Sequence, residues 1–308
     1  MYAAQSLKRL ASKRAITAAF PKRALLVRTP AAAFSVDNQQ GKKIDFGFET
    51  VDYEKKQEKV AEVFSSVADS YDLMNDAMSL GIHRLWKDDF VKQIGPLKPR
   101  KILDDKGNIV STEPLRILDV AGGTGDISFR ILDKAWQDSP EQLSVKITVS
   151  DINPNMLDVG KKRAVERGSF HELDFKVVNA EDLSEFESDS HDLYTIAFGI
   201  RNVTDRAKAL KEAHRILRKG GRFMCLEFSE VVVPGLKQIY DTYSFNMIPA
   251  MGGLLANDAP SYQYLVESIR KFPKQPEFAA MIEDAGFQVV TYTNYTGGVV
   301  ALHSGVKL

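Results

Sequence analysis

Residues 115–129 read Leu-Arg-Ile-Leu-Asp-Val-Ala-Gly-Gly-Thr-Gly-Asp-Ile-Ser-Phe. A short apolar run ends in a Gly-rich turn, and a helical pattern opens at about residue 126. Strand, glycine turn and helix in that order mark the ligand-binding corner of an open α/β sheet. The same rhythm continues downstream. Residues 144–150 (SVKITVS), 175–178, 192–198 (DLYTIAF) and 222–228 (RFMCLEF) read as strands. A helix is expected over 154–167, opening after Asn153 as N-cap. Another is expected over 206–218, with Leu210, Ala213 and Leu217 on one face, Arg215, Arg218 and Lys219 at its end, and Gly220-Gly221 as its stop. Alternating strands and helices imply a mainly parallel sheet covered on both faces. Residues 288–295 and 298–303, with Gly297 between them, predict a closing antiparallel hairpin.

On the N-terminal side, 37–54 reads as an irregular arm and 98–114 as a loop containing a small hairpin at Lys106-Gly107-Asn108. Between them 55–94 is helical, with Val60, Val63, Phe64, Val67 and Ala68, then Leu85, Trp86, Phe90 and Ile94, at three- and four-residue spacing. The expected organisation is one domain over 37–308: a helical cap (55–97), a cofactor-binding core (115–230), a substrate-side insert rich in Met, Tyr and Phe (231–275), and a last helix with the hairpin (276–308). The chain has 308 residues, 44% apolar and 27% charged, which excludes wholesale disorder and fibrous architectures. Its longest nearly uncharged apolar stretch, around 247–256, is too short to span a bilayer. The single cysteine, Cys225, excludes a disulfide framework, and the five histidines lack metal-ligand spacing, so no metal site is expected.

Charge is unevenly placed. Residues 1–36 carry seven basic side chains (Lys8, Arg9, Lys13, Arg14, Lys22, Arg23, Arg28) and no acid. An acid-free, Ala-rich start of this kind is expected to be a mitochondrial transit peptide; a plain basic tail is the bland alternative. Of the 41 basic residues, 34 remain beyond it against 41 acids, which argues against nucleic acid as a partner.

Three strand ends carry nucleoside chemistry. The first is the loop Asp119, Gly122, Gly123, Thr124, Gly125, Asp126, whose glycines let backbone approach a ligand. A dinucleotide fingerprint needs a third glycine at 128, where Ser128 stands, and Asp126 would repel a pyrophosphate. Asp126 has a simpler role open to it as an acid at a helix N-terminus. The second end, Asp151-Ile152, places a carboxylate for ribose hydroxyls, or for a turn before Asn153-Pro154. The third, Asn179-Ala180-Glu181, offers polar backbone and an acid to an adenine edge, or caps a helix.

These ends and the terminal hairpin resemble the class I S-adenosylmethionine-dependent methyltransferases, whose sheet is Rossmann-like and seven-stranded. In that family the glycine loop meets the methionine part and the second acid holds the ribose. Residues 71–86 (YDLMNDAMSLGIHRLW) look like the first signature of the ubiquinone/menaquinone-biosynthesis C-methyltransferases. Residues 215–229 resemble the second, with Lys219 where proline is usual, and 198–203 (FGIRNV) also looks like that family. The resemblance covers roughly 50–308. Ala197 stands where bacterial relatives can carry Ser, so its contact with the cofactor would run through backbone.

What the resemblance implies is an enzyme methylating a ring carbon of a polyprenyl benzoquinol, with S-adenosylmethionine as cofactor and no metal. Other small-molecule methyltransferases and a non-catalytic cofactor-binding scaffold are the competing readings. Such a ring carbon needs an ionised hydroxyl to become nucleophilic, and afterwards loses a proton. Arg201 is expected to stabilise the phenolate, its alternative being a salt bridge to Asp205 or Glu227; Asn202 stands beside it, with helix capping as alternative. Tyr71 and His83, from the first signature, are the other catalytic candidates, with structural hydrogen bonding the alternative for His83. Met74, Met78, Trp86, Tyr240, Tyr243, Phe245, Met247 and Met251 suit a channel for the lipid tail, or core packing. The family also implies a peripheral place on the matrix face of the inner mitochondrial membrane, a multiprotein ubiquinone-synthesis complex and a homodimer.

Overall fold

The computed structural model describes residues 43–67, 75–76, 79–141, 143–256 and 258–308. The basic segment 1–36, Ala68, Tyr71, Met74 and Met78 lie outside them, and so does the side chain of Met251. In chain order the elements are β1 (Lys43–Phe46), β2 (Glu49–Asp52), α1 (Tyr53–Val67), α2 (Ile82–Gln93), β3 (Arg100–Leu103), β4 (Ile109–Glu113), β5 (Leu115–Val120) and α3 (Asp126–Asp138). They continue with β6 (Val145–Asp151), α4 (Pro154–Glu166), β7 (Leu173–Val177), β8 (His191–Ala197), α5 (Arg206–Ile216), β9 (Leu217–Phe228) and α6 (Leu236–Ala256). The last are α7 (Ala259–Lys271), α8 (Gln275–Asp284), β10 (Gln288–Tyr295) and β11 (Val300–Val306).

Seven strands form one sheet in the order β10-β11-β9-β8-β5-β6-β7. Strands β7, β6, β5, β8 and β9 run parallel, while β11 and β10 close the sheet antiparallel, as the C-terminal hairpin pattern predicts. Continuous burial of β5 from Ile117 to Val120 is what a strand covered on both faces requires. Ile117 joins Ile131, Leu132 and Phe90 on one face; Leu118 joins Leu210, Ala213 and Phe278 on the other. Burying each of the larger of these side chains contributes roughly 1.5–3 kcal/mol. Chain order reverses between β5 and β8, so the cleft for a ligand opens at their carboxyl ends.

Local signals act where they were read. The Asn153 side chain accepts the Asn155 N–H at the start of α4, with Pro154 at the first helical position. The Lys106-Gly107-Asn108 turn joins β3 to β4. Three expectations are corrected. The arm over 37–54 is a β-hairpin from residue 43, because Ile44 and Phe46 alternate with exposed neighbours and Phe46 stacks on Tyr264 at 4.2 Å. The helix expected to reach 218 stops at Ile216. Leu217 is already extended, and the Arg218 guanidinium binds Asp192 and the carbonyls of Asp189 and Ser190, so β9 begins five residues earlier than expected. Finally, Asn179–Glu181 caps no helix; the chain from β7 to β8 crosses in turns.

The loops after β5 and β8 touch at the switch point. Ala121 and Phe198 both take positive φ (51° and 57°), and a Cβ built on Gly199 would stand 2.4 Å from the Ala121 Cβ. Gly199→Ala is therefore expected to destabilise the fold by roughly 1–3 kcal/mol, read by denaturant unfolding, because backbone must move on one side. An unchanged midpoint would show that these loops yield freely.

Candidate active site

A cavity opens beyond β5, β6 and β8, at the switch point. Its floor is the Gly-rich loop; one wall is Gln57, Val60, Ala61 and Phe64 of α1, a stripe at i, i+3, i+4 and i+7. The helical cap thus covers the cofactor end.

Asp119 supports the floor. Its side chain is buried, and its two oxygens accept hydroxyl hydrogens from Ser128 (2.7 Å, on α3) and Thr195 (2.8 Å, on β8). Burial pushes its carboxyl up to about 6, with the nearby Asp126 and Asp151 charges adding to the rise. Ser128, which breaks the dinucleotide fingerprint, is the donor that makes this buried acid tenable. A Cβ on Gly122 would meet Val149 Cγ1 at 2.8 Å, and the Gly122 N–H donates to Ser150 O. Gly123 (φ 53°) donates its N–H to Asp151 Oδ2 at 3.0 Å, while Thr124 is buried and Gly125 (φ 83°) opens α3. Asp126 follows at the first position of α3, held by Lys87 Nζ at 2.7 Å and Arg130 Nε at 2.9 Å. Burial opposes its ionisation, but Lys87 and Arg130 outweigh it and keep the carboxyl below its usual range.

Asp151 also lines the cavity. Its oxygens accept the N–H groups of Gly123 and Asn153 and each retains a second acceptor site. Burial raises its carboxyl to about 6. Ile152, Asn179 and Ala180 stand beside it on the wall. Asn179 Oδ1 accepts the Glu181 N–H, and the Glu181 carboxylate is engaged by Tyr53 OH and by the N–H groups of Thr204 and Asp205. Glu181 therefore ties α1 to the β8–α5 loop, and faces a nucleoside mainly with backbone. Ala197 ends β8 on the cavity wall.

Of the catalytic candidates, Asn202 lines the cavity and Arg201 does not. The Arg201 guanidinium is buried, with Nη1 donating to Glu227 Oε1 at 2.9 Å and to the Phe198 carbonyl; its backbone N–H reaches Glu227 Oε2. This is the Glu227 salt bridge expected as the alternative to a substrate contact. Burial holds the Glu227 carboxyl above its usual range despite Arg201. The Arg201 Nε is buried and has no acceptor among the described residues. Asn202 Oδ1 accepts from Tyr264 OH at 3.1 Å, which leaves the amide N–H groups for the cavity. His83 is buried, bonded through Nε2 to Asp76 at 2.8 Å, and outside the cavity lining. Burial, helped by Lys87, lowers its ring below the usual histidine value, so it is largely neutral at pH 7. The insert residues Tyr240 and Tyr264 pack nearby; Trp86 is a core residue bonded to Thr296.

Sequence reading missed Lys87. It is buried and lines the cavity. The signal was its place on the apolar stripe of α2, one turn from His83 and from Val91, where a lysine must have a partner.

The cavity suits a positively charged nucleoside. Three carboxylates (Asp119, Asp126, Asp151) surround one loop, which repels a pyrophosphate and attracts a cation. The floor glycines leave no Cβ between ligand and backbone, and Asp151 can accept from a diol. Among the described residues no cluster of side chains could hold a metal ion.

The family model of the ubiE/COQ5 methyltransferase family matches residues 52–307. A protein of Oryza sativa subsp. japonica named 2-methoxy-6-polyprenyl-1,4-benzoquinol methylase, mitochondrial, is 54% identical over 274 residues, covering 85% of this chain and 88% of that one. The ubiquinone/menaquinone biosynthesis C-methyltransferase UbiE of Brucella abortus (strain S19) is 52% identical, covering 87% and 92%. Among solved structures, a SAM-dependent methyltransferase of Thermotoga maritima, titled a possible histamine N-methyltransferase, aligns with TM-score 0.50 at 18% identity over 80% of this chain and 99% of that one. The [4+2]-cyclase SpnF aligns with TM-score 0.53 at 15% identity over 80% and 94%. These last two likenesses concern the fold.

Two measurements test the geometry. Glu227→Ala leaves the Arg201 charge buried without its partner and should cost roughly 3–5 kcal/mol in unfolding free energy, while Arg201→Met/Glu227→Leu should lose much less. Equal losses in both variants would show that the ion pair itself holds the loop. The affinity for S-adenosylhomocysteine, by calorimetry, should rise from pH 5 to pH 7 as Asp151 and Asp119 ionise through about 6, then level off. Asp151→Asn should weaken binding by roughly tenfold to a hundredfold and flatten that rise; wild-type affinity in the variant would remove Asp151 from the ribose site.

Proposed function

Because the chain belongs to the ubiE/COQ5 methyltransferase family, we propose that it transfers the methyl group of S-adenosylmethionine to a ring carbon of a polyprenyl benzoquinol in ubiquinone biosynthesis. The observation that carries this reading is the near full-length identity to a relative named 2-methoxy-6-polyprenyl-1,4-benzoquinol methylase. The chain is a class I S-adenosylmethionine-dependent methyltransferase.

Bound over the Gly-rich loop, S-adenosylmethionine supplies an electrophilic methyl group. Asp151 would take the ribose hydroxyls, the backbone at Asn179 and Ala180 would border the adenine, and Ala197 would contact the cofactor through its main chain. Asp119 acts through Ser128 and Thr195 on the loop's shape. Val60, Ala61 and Phe64 exclude water from the reacting atoms. Asn202, oriented by Tyr264, donates its amide N–H to the ring oxygen as negative charge develops. The Arg201 guanidinium sits one residue away and supports that charge electrostatically; it is no base, because a guanidinium stays protonated. His83 holds α2 through Asp76, a positioning role in this reading. Tyr71 keeps its candidacy from the signature alone.

The acid-free basic segment 1–36 supports mitochondrial import, and the rice relative is itself named mitochondrial. A polyprenyl quinol resides in the bilayer, and no helix among the described residues is long and apolar enough to cross one. The reading is therefore of a peripheral enzyme at the matrix face of the inner membrane, working as a homodimer or within a multiprotein complex that hands over the quinol.

The test is incubation of the protein with isotopically labelled S-adenosylmethionine and a short-tailed 2-methoxy-6-polyprenyl-1,4-benzoquinol, with the product read by mass spectrometry. Label on a ring carbon is expected, and Asn202→Ala should lower kcat by roughly 10²-fold. Label on oxygen, or none in the presence of bound cofactor, would overturn the proposal.

A further inference from the structure

Among the described residues lining the cavity, Lys87 is the one cation. Its side chain is 6% exposed, yet it lines the cavity, with the ammonium 6.0 Å from the centroid of the Phe198 ring, another lining residue. A buried lysine at a ligand cavity carries a large desolvation cost unless it is paired. Its partner, Asp126 Oδ2 at 2.7 Å, lines the same cavity. The other Asp126 oxygen is held independently by Arg130 Nε at 2.9 Å, one helical turn away. Asp126 thus keeps a counter-ion if Lys87 turns elsewhere.

The cavity has two ends. Asp151 and Asn179–Glu181 form one, which the reading above gives to the nucleoside. The other is the loop from Asp119 to Asp126 with Phe198 and Lys87, where the amino-acid tail must lie. That tail carries an ammonium and a carboxylate. The acids at this end, Asp119 and Asp126 on the loop with Asp151 close by, suit the ammonium and oppose the carboxylate everywhere except at Lys87. We propose that Lys87 is the anchor for the tail carboxylate of S-adenosylmethionine, and that the Lys87–Asp126 pair opens to exchange partners with the zwitterion. The Lys87 ammonium passes from Asp126 Oδ2 to the ligand carboxylate. The freed Asp126 oxygen takes the ligand ammonium, and Arg130 stays in place. Two ion pairs replace one without stranding a charge, so the exchange avoids the penalty of an unpaired buried ion. The assignment rests on the cofactor reading above.

The experiment compares two ligands by calorimetry: S-adenosylhomocysteine, and the same thioether with its carboxylate removed, leaving a 3-aminopropyl chain. The wild-type protein should prefer the first by about tenfold to a hundredfold, the worth of a charge-assisted contact in a buried site. Lys87→Met should lose that preference while binding the decarboxylated ligand at least as tightly as wild type, because the Asp126 oxygen is already free for its ammonium. Asp151→Asn should weaken both ligands alike, since it acts on the shared ribose. If the methionine variant melts below the working temperature, Lys87→Gln repeats the comparison. A Lys87 variant that still discriminates overturns the assignment, and so does a wild-type protein that does not. Binding of neither ligand by the wild type would instead overturn the cofactor reading, and this assignment with it.

Discussion

One buried carboxylate holds the ligand corner together. Asp119 lies between a strand, the helix that follows it and the neighbouring strand across the switch point, and takes one hydroxyl hydrogen from each side. A charge in that position is costly, and the cost shows in a carboxyl raised to about 6. Two oriented donors offset it only when β5, α3 and β8 are all in register. The shape of the glycine loop therefore depends on three elements at once. Gly122 lies against Val149, and Gly123 points its N–H at Asp151.

The electrostatics follow from that placement. Asp126 and Asp151 stand close enough to Asp119 to raise its carboxyl further, which makes the floor hospitable to a sulfonium and an ammonium and hostile to phosphate. The chain limits this negative field with two cations, Lys87 from the cap and Arg130 one turn along α3 from Asp126. On the substrate side, Arg201 and Glu227 form a nearly inaccessible pair, 4% and 1% exposed. One guanidinium there bonds both the Phe198 carbonyl and Glu227 on β9, beside the Phe198–Asn202 turn. Asn202 inherits its position from that turn and its amide orientation from Tyr264.

Much of this was legible in the residues, for a local reason. The strands around Asp119, the Asn153 cap and the closing hairpin are written in periods of two and 3.6 and in short-range side-chain bonds. The errors were local too. Arg218 and Lys219 look like the basic end of a helix, and only the distant Asp192 shows that Arg218 is extended. Residues 43–52 look irregular until Phe46 has the Tyr264 ring to stack on.

By itself, then, the sequence determined the class of sheet and the acids that stand at its strand ends, because each is encoded within a few consecutive residues. Tertiary structure alone decided how those groups are spent. It turned Glu181 onto Tyr53 and the α5 loop, and Arg201 inward to Glu227. It brought Lys87 to Asp126, across 39 residues, and Thr195 to Asp119, across 76. A side chain's charge is a property of the residue. Whether that charge faces a ligand or a buried partner depends on what the fold delivers within about 3 Å of it, and no local period records that.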